Sequence, residues 1–400
     1  MKEKGSVFSG SRNRRSFLKT GMVAGAATIG TAILPASPVA FAGPVNDHAP
    51  ISKGDIAILT FLSALEQVEA DLWIQYAELG GATNQGLSPI DLQLNGQAII
   101  TGLAPHYITA LEVLDGDMPQ YIADNTDDEI SHHRFLNNYL ASKGAKTIDL
   151  TTEFATIPPS QVTGVPQNGR LTNLKQLTVD TRWWTRLRSA TANPDFGGTF
   201  DQAVPDLAKG KHPAIPLNDD DMALNPDGTI PNHLQAIANT AGFHFAFIEQ
   251  GGSSLYPALA QKVSNLEVLR ILLSIGGSEI AHFQTWHDKA GNATPLTDGD
   301  LTFPNLNTLA VNPVTGAVDT NVADKFQTNL IMPEPTLFLN QSLGPVSILR
   351  PTSTAQGGAV ASVVSFVEDG LFLDPSGNNT GIVDKLMRLA EEADAARRTF

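Results

Sequence analysis

Cysteine is absent from this sequence. None of the 400 residues is a cysteine, so no disulfide can stabilise the fold. Basic residues are scarce, because 26 Lys and Arg stand against 41 Asp and Glu and leave a formal net charge of −15. Such an acidic chain is not expected to bind nucleic acid or an anionic membrane. With 42% hydrophobic residues it can bury a large core, which argues against intrinsic disorder.

The sequence also lacks a long uninterrupted apolar segment. The N-terminal run GMVAGAATIGTAIL contains glycine and threonine and is too weak for a stable membrane anchor. Arg14 and Arg15 precede it in NRRSFLK, and AFAG follows it with a small-x-small cleavage site at Ala40 and Ala42. This arrangement resembles a twin-arginine export signal spanning residues 1–42, so we expect the mature protein to be periplasmic or secreted. An uncleaved anchor is the alternative.

Removal of the signal would make the chain more acidic. Residues 1–42 contain six Lys or Arg and one Glu, so the formal net charge would change from −15 to −20. The mature chain of about 358 residues is long enough for one elaborated domain or two. Its surface charge favours solubility and weakly attracts cations.

Four segments of the mature chain have the apolar periodicity of long helices. Gly80 and Gly81 are expected to end the first, Asp117 to cap the second, and Ser264 with Glu267 to form a capping box on the fourth. The four segments are about residues 54–80, 118–142, 232–263 and 265–289. We therefore predict an all-α fold built on an antiparallel four-helix bundle.

The remaining segments are predicted to surround this bundle. A loop-rich insert of about 145–230 lies between the second and third helices, and its Pro, Gly and Asn content predicts irregular loops with short strands. The signal (1–42) and the bundle (43–293) would be followed by a C-terminal extension, 294–400, of irregular segments and two helices that packs on the bundle. In the third helix, Gly251, Gly252 and Pro257 are expected to bend or interrupt the chain.

Two copies of a metal-ligand spacing lie on the second and fourth predicted helices. DDEISHHRF contains Glu129 and His132, and GSEIAHFQTW, about 150 residues later, contains Glu279 and His282. Residues three apart share one face of a helix, so each pair can bind one ion. One such pair is a weak signal, whereas two in alternate helices are a strong one.

The other two helices supply further carboxylates. The first contains Glu66 with Glu69 beside it, and the third contains Glu249 directly after the most apolar stretch of the chain. Four buried carboxylates would carry a charge of −4, which is costly without cations. Two divalent ions would neutralise them, and carboxylate with imidazole suits iron or manganese, with zinc possible. Twin-arginine export of folded protein would suit a metal inserted in the cytoplasm.

This pattern resembles the ferritin-like superfamily and is most similar to its exported and desiccation-related members. The resemblance covers about residues 54–291 without the insert. It implies that two helices each contribute one Glu, that two each contribute a Glu and a His, and that the bridging Glu of the second helix is Glu129. The implied metal ligands are Glu66, Glu129, His132, Glu249, Glu279 and His282. No catalytic residue beyond these ligands is predicted.

Several residues have simpler interpretations. Periodicity alone slightly favours Glu69 over Glu66, and only the family spacing favours Glu66. Glu129 could instead complete a capping box that starts at Thr126, and His282 could be a hydrogen-bonded core residue. The histidines expected to be surface or supporting residues are His133, His244 and His287. The aromatic residues expected to lie mainly in the core are Trp73, Tyr256, Trp286, Trp183 and Trp184. Electron transfer or radical quenching is the alternative role for Trp73, Tyr256 and Trp286.

Two functions are compatible with these features. The first is an exported oxidoreductase whose two iron or manganese ions react with oxygen or peroxide in stress defence. The second is a non-catalytic desiccation or stress protein with structural metal or none, whose long loops bind a partner. Iron storage in a cage is less favoured, because the insertions would obstruct close packing. A homo-oligomer is possible in each case.

Overall fold

Helices dominate the computed structural model, which describes residues 51–82, 93–94, 97–306, 332–349 and 358–399. Within these ranges, nine α-helices accompany three two-stranded antiparallel sheets, so the prediction of a mainly helical fold is confirmed at that level. The expected export signal, 1–42, and residues 307–331 of the C-terminal extension lie outside the described residues. No helix in the described ranges is long and apolar enough to cross a membrane.

Four long helices correspond to the four predicted segments. They are α1 (Lys53–Gly80), α3 (Met118–Ser142), α6 (Asn232–Ala260) and α7 (Leu266–Ala290). The shorter helices are α2 (Pro105–Glu112), α4 (Thr151–Phe154), α5 (Arg182–Arg188), α8 (Ala359–Asp369) and α9 (Ile382–Ala395). The paired strands are β1 (Gln93–Leu94) with β2 (Gln97–Ala98), β3 (Leu296–Asp298) with β4 (Leu301–Phe303), and β5 (Thr336–Leu337) with β6 (Pro345–Val346).

The helix ends follow local hydrogen-bond chemistry. Ser52 and Asp55 form a reciprocal capping box at the start of α1, and the helix ends at Gly80 as predicted. The predicted cap of α7 at Ser264 is wrong. The side chain of Asn265 accepts hydrogen bonds from the amides of Glu267 and Val268, because its extended backbone points the amide oxygen at the first turn.

Two further predictions about helix ends and interruptions are corrected. Asp117 precedes α3 but makes no capping hydrogen bond, because its backbone (ψ 8°) lacks the extended conformation that an N-cap requires. Helix α6 continues through Gly251, Gly252 and Pro257, so the helix is not interrupted there, while the alternative of a bend stays a prediction. Extensive packing of α6 against α7 outweighs the weak helix propensity of these residues.

The long helices fall into an inner and an outer pair. Helices α1 and α6 are buried over most of their surface, whereas α3 and α7 each bury one face. The sequence explains the burial of α6, which is strongly apolar around Phe243 to Ile248, but the buried surface of α1 also includes acids and glutamines such as Glu66 and Gln75. Helix α1 packs against α3, and α6 packs against α7.

The insert forms part of the core. It contains α4 and α5 besides irregular segments, whereas loops were predicted, and Trp183 and Trp184 of α5 are buried as packing residues. Polar contacts tie the insert to α1. The buried guanidinium of Arg170 lies 2.6 Å from the Glu78 carboxylate. The insert therefore covers a face of α1 that water would otherwise reach.

The C-terminal extension covers another face of α1. Helix α9 packs against α1 and against α8, and the carboxylate of Asp394 connects three elements. It accepts hydrogen bonds from the amides of Ala359 and Val360 at the start of α8, at 3.2 and 3.0 Å, and from Lys262 Nζ at 2.6 Å. Asp394 thus caps α8 from a different helix.

Replacement of Asp394 by alanine should destabilise the fold. Loss of the cap and of the Lys262 contact is expected to lower the free energy of unfolding by about 1–2 kcal/mol. Urea denaturation followed by circular dichroism measures this change. The matched control is Glu391→Ala on the exposed side of α9, which should change stability by less than about 0.5 kcal/mol. Equal effects of the two substitutions would contradict the capping role.

Candidate metal centre

The six predicted ligands converge between the four long helices. Helix α1 contributes Glu66, α3 contributes Glu129 and His132, α6 contributes Glu249, and α7 contributes Glu279 and His282. All six residues are buried, and the three acids on α3, α6 and α7 have no exposed surface. Two groups of four can be distinguished, each with its ligand atoms within 4.8 Å of one another: Glu66, Glu129, His132 and Glu279, and Glu129, Glu249, Glu279 and His282.

The first group surrounds one imidazole nitrogen. His132 Nδ1 lies 3.3 Å from Glu66 Oε2, 3.2 Å from Glu129 Oε2 and 3.2 Å from Glu279 Oε1. A single N–H cannot donate well to three acceptors at once. The geometry instead resembles one nitrogen and three oxygens arranged around a common point.

The second group is centred on the other histidine, whose Nδ1 contacts two carboxylate oxygens instead of three. His282 Nδ1 lies 3.1 Å from Glu129 Oε1 and 3.2 Å from Glu249 Oε2, and Glu279 belongs to the same group. Glu129 therefore presents one oxygen to each histidine. Glu129 and Glu279 are common to both groups, while each of the other two acids belongs to only one.

Glu66 and Glu249, the two unshared acids, each accept a hydrogen bond from an aromatic side chain on the other's helix, α6 or α1. Trp73, seven residues after Glu66, donates its indole N–H to Glu249 Oε1 at 2.9 Å. Tyr256, seven residues after Glu249, donates its hydroxyl to Glu66 Oε1. Each helix thus orients the acid of the other. Both aromatics were expected to be mainly core residues, and the sequence did not predict this exchange.

Asn125 is a supporting residue that the sequence analysis missed. Its amide donates to Glu129 Oε1 and to Glu249 Oε1, both at 2.9 Å, and its oxygen accepts from Trp286 Nε1 at 2.6 Å. The available signal was its position, four residues before Glu129 and therefore on the same face of α3. The amide fixes the orientation of two acids from different helices.

The residue before each shared acid contacts the histidine of the opposite helix. Asp128 Oδ2 lies 2.9 Å from His282 Nε2, and Ser278 Oγ lies 3.2 Å from His132 Nε2. These contacts leave the Nδ1 atoms directed at the carboxylates. Such outer partners commonly fix the tautomer and the ring orientation of metal-binding histidines.

Burial and mutual repulsion shift the ionisation of the acids. Burial raises the pKa of Glu129 to about 7 even though His132 lowers it, and burial with repulsion from Glu129 raises the pKa of Glu279 well above its usual range. Burial is the largest influence on Glu66 and acts to raise its pKa, but the charge of His132 together with hydrogen bonds involving His132, Glu129 and Tyr256 lowers the net pKa. Although burial opposes it, the acids raise the pKa of both His132 and His282. The cluster therefore favours positive charge at its centre.

The geometry distinguishes Glu66 from Glu69. Both are buried, but only Glu66 belongs to a ligand group. Burial, and then repulsion from Glu66 and the other acids, raises the pKa of Glu69 well above its usual range. Glu69 is thus a fifth buried acid beside the centre, and the helix-one residue positioned for metal is the one favoured by the family spacing.

The donor set fits metal ions. Glu66 Oε2 and both carboxylate oxygens of Glu279 are buried and accept no hydrogen bond from the described residues, which is costly for a carboxylate without a cation. Ligand atoms about 2.1 Å from a shared ion lie up to about 4.2 Å apart, so groups within 4.8 Å need little contraction. Carboxylate and imidazole together suit iron, manganese or zinc.

The structure decides between several interpretations of the motif residues. Helix α3 begins at Met118, so Glu129 lies in mid-helix and the capping-box alternative is wrong. His133, His244 and His287 belong to neither ligand group, as expected. His244 and His287 are fully buried, however, so a surface location for them is wrong. His244 Nδ1 contacts the Tyr76 hydroxyl at 2.7 Å instead.

Comparisons with protein-family models, with curated proteins and with solved structures each found no match. The ferritin-like resemblance therefore depends on the sequence motifs alone.

Two adjacent glycines of α6 allow a matched test of the Glu279 position. A Cβ at Gly252 would lie inside 3.0 Å of Glu279 Oε2, whereas a Cβ at Gly251 would meet nothing within 4 Å. We expect Gly252→Ala to displace the Glu279 carboxylate and to weaken metal binding at least tenfold. Gly251→Ala should retain metal binding and stabilise α6 by about 0.5–1 kcal/mol. Calorimetric titration of metal-free protein with Mn²⁺ measures the metal affinity of both variants. Equal affinities in Gly252→Ala and Gly251→Ala would contradict the assignment.

The roles of Glu66 and Glu69 can be separated by isosteric substitution. Glu66→Gln removes one ligand and should reduce the metal content of the purified protein. Glu69→Gln replaces an acid outside both ligand groups and should leave the metal content unchanged. Elemental analysis of the two variants, beside the unaltered protein, measures the difference. Loss of metal only from Glu69→Gln would reverse the assignment.

Proposed function

We propose that this protein is an exported, ferritin-like metalloprotein with two iron or manganese ions that react with oxygen or peroxide. The observation that carries the proposal is the pair of ligand groups that share Glu129 and Glu279. Each ion would be bound by one histidine, by one unshared acid and by the two shared acids. Four carboxylates would then offset the charge of two divalent ions.

The order of ligands along the chain supports the ferritin-like interpretation. A lone acid on α1 is followed by Glu129 and His132 on α3, by a lone acid on α6, and by Glu279 and His282 on α7. One acid from each of two helices and a Glu-x-x-His pair from each of the other two is the ligand set expected for a di-metal four-helix bundle, and here α1 packs on α3 while α6 packs on α7. Export by the twin-arginine pathway is part of the proposal and depends on the N-terminal sequence alone.

The residues at this centre would have two roles, binding the metal ions and holding the acids in position. The bound ions would supply the redox chemistry. His132 and His282 would bind through Nδ1, each losing the proton that the acids otherwise keep there, so metal binding would release protons. Asn125, Trp73 and Tyr256 would hold the acids in place by hydrogen bonds.

Burial would separate this chemistry from bulk water. The four acids have at most 2% exposed surface, while His132 and His282 retain 8% and 9%. The histidine side of the centre, between α3 and α7, is therefore the side nearest to solvent. We infer that small oxidants approach from there, because α1 and α6 are covered by other parts of the chain.

The second candidate is a non-catalytic stress protein. The observation that favours it is the contribution of the insert and the extension to the covering of α1, through contacts such as Arg170 with Glu78. In that case the metal ions would be structural, holding four helices together through buried acids, or would be absent. Oxidant turnover distinguishes the two candidates.

Metal analysis of mature protein purified from the periplasm tests the proposal. We expect about two iron or manganese ions per chain, and loss of both in the double variant Glu129→Ala, Glu279→Ala, because these acids belong to both groups. The matched control is Glu391→Ala, Glu392→Ala, which removes two acids from the exposed side of α9 and should retain the metal.

The outcomes separate the candidates. Two ions per chain with turnover of hydrogen peroxide or ferrous iron would support the oxidoreductase. Two ions without turnover would support a structural metal centre. Absence of metal from the folded native protein would overturn the metalloprotein proposal and leave the non-catalytic stress protein.

A further inference from the structure

The two halves of the candidate centre correspond residue by residue. Asp128, Glu129 and His132 on α3 have the same spacing as Ser278, Glu279 and His282 on α7. Each helix also contacts the histidine of the other: Asp128 on α3 contacts His282 on α7, and Ser278 on α7 contacts His132 on α3. In such a repeated arrangement, differences between the halves are informative.

The first difference is the charge of the outer partner. We call the group around His282 and Glu249 the His282 position, and the group around His132 and Glu66 the His132 position. His282 Nε2 faces the carboxylate of Asp128 at 2.9 Å, whereas His132 Nε2 faces only a hydroxyl at 3.2 Å. A hydrogen bond to a carboxylate is shorter and roughly twice as strong as one between neutral groups.

The second difference is the support of the unshared acid. Glu249 Oε1 accepts two hydrogen bonds, from Trp73 and Asn125, both at 2.9 Å. Glu66 Oε1 accepts one from the Tyr256 hydroxyl, and its Oε2 accepts none among the described residues. The acid of the His282 position is therefore held more firmly before any metal binds.

We propose that the two metal positions are unequal, that the His282 position binds its ion first and more tightly, and that Asp128 is the positioning residue that sets this order. This inference depends on the proposed metal centre. A carboxylate behind an imidazole makes the ring a better ligand and fixes its orientation, and such outer partners commonly change metal affinity by about 10–100-fold. The His132 position then holds the more readily exchanged ion.

Two features act in the opposite direction. The first is that His132 Nδ1 contacts three carboxylate oxygens, whereas His282 Nδ1 contacts two. The second is the position of Glu69. Among the other acids, Glu66 is the strongest electrostatic neighbour of Glu69, so negative charge on Glu69 would favour the His132 position. Glu69 is nevertheless outside both ligand groups, while Asp128 contacts a ligand directly. The Glu69→Gln variant removes this influence and provides a control for it.

The test exchanges the two outer partners. Metal-free protein is titrated with Mn²⁺ by calorimetry, as the unaltered chain, Asp128→Ser, Ser278→Asp and the double exchange. The side chain of Asp128 is 52% exposed, so its substitution should not impair folding. We expect two binding steps in the unaltered chain, and Asp128→Ser should weaken the tighter step by about 10–100-fold. Ser278→Asp should strengthen the weaker step, and the double exchange should reverse which position fills first.

Two further variants assign the steps to the positions. His282→Ala should remove the tighter step from the unaltered chain, and His132→Ala should remove the weaker one. In the double-exchange background these assignments should be reversed. Circular dichroism of each metal-free variant establishes that it is folded, and Glu69→Gln should leave the order of filling unchanged.

The failures of the two proposals can be distinguished. Two steps that are insensitive to Asp128→Ser and Ser278→Asp would overturn the unequal positions while leaving the metal centre intact. Loss of the tighter step in His132→Ala instead of His282→Ala would also overturn the proposed order. Absence of any Mn²⁺ binding by the unaltered folded chain would overturn both proposals.

Discussion

The burial of acidic side chains among four helices is the constraint on which the rest of this structure depends. Glu66, Glu129, Glu249 and Glu279 come from separate helices and meet where water is excluded. Ionised carboxylates in such a place require positive charge or hydrogen-bond donors. The indole, phenol and amide groups that satisfy some of their oxygens come mainly from other helices, so the orientation of each acid depends on a neighbouring helix. The oxygens that remain unsatisfied favour a cation.

The rest of the fold creates the two environments that this cluster requires. Helices α1 and α6 carry the unshared acids and are covered by other elements, with the insert and α9 packed against α1. Helices α3 and α7 carry the histidines and keep one face towards solvent. The acids are therefore shielded from solvent, while the imidazoles lie at the outer edge of the centre with their Nε2 atoms towards Asp128 and Ser278. The outer edge of the centre, where the histidines lie, is therefore both the side from which we propose that oxidants approach and the side where the two metal positions differ in their outer partners.

Local patterns predicted the long helices and most of the candidate site. Apolar periodicity located all four helices, because burial of a helix face repeats every three to four residues whatever the final packing. The spacing of Glu129 with His132 and of Glu279 with His282 placed each pair on one face for the same reason. The same approach failed for Ser264 and Asp117, where small backbone differences decide which side chain can cap a helix. It also missed α2 and α5, which are too short for periodicity to identify and depend on tertiary packing.

Local sequence patterns were enough to predict that the chain is helical, that two long helices carry Glu-x-x-His motifs and that the other two carry acids. They did not decide between Glu66 and Glu69, since residues three apart share a helix face and both are buried. Only the packing of the four helices placed Glu66, and not Glu69, in a ligand group. Tertiary structure alone also produced the contacts of Asn125 with Glu249 and of Asp128 with His282. The physical reason is that these contacts join side chains more than 120 residues apart, beyond the reach of any local pattern.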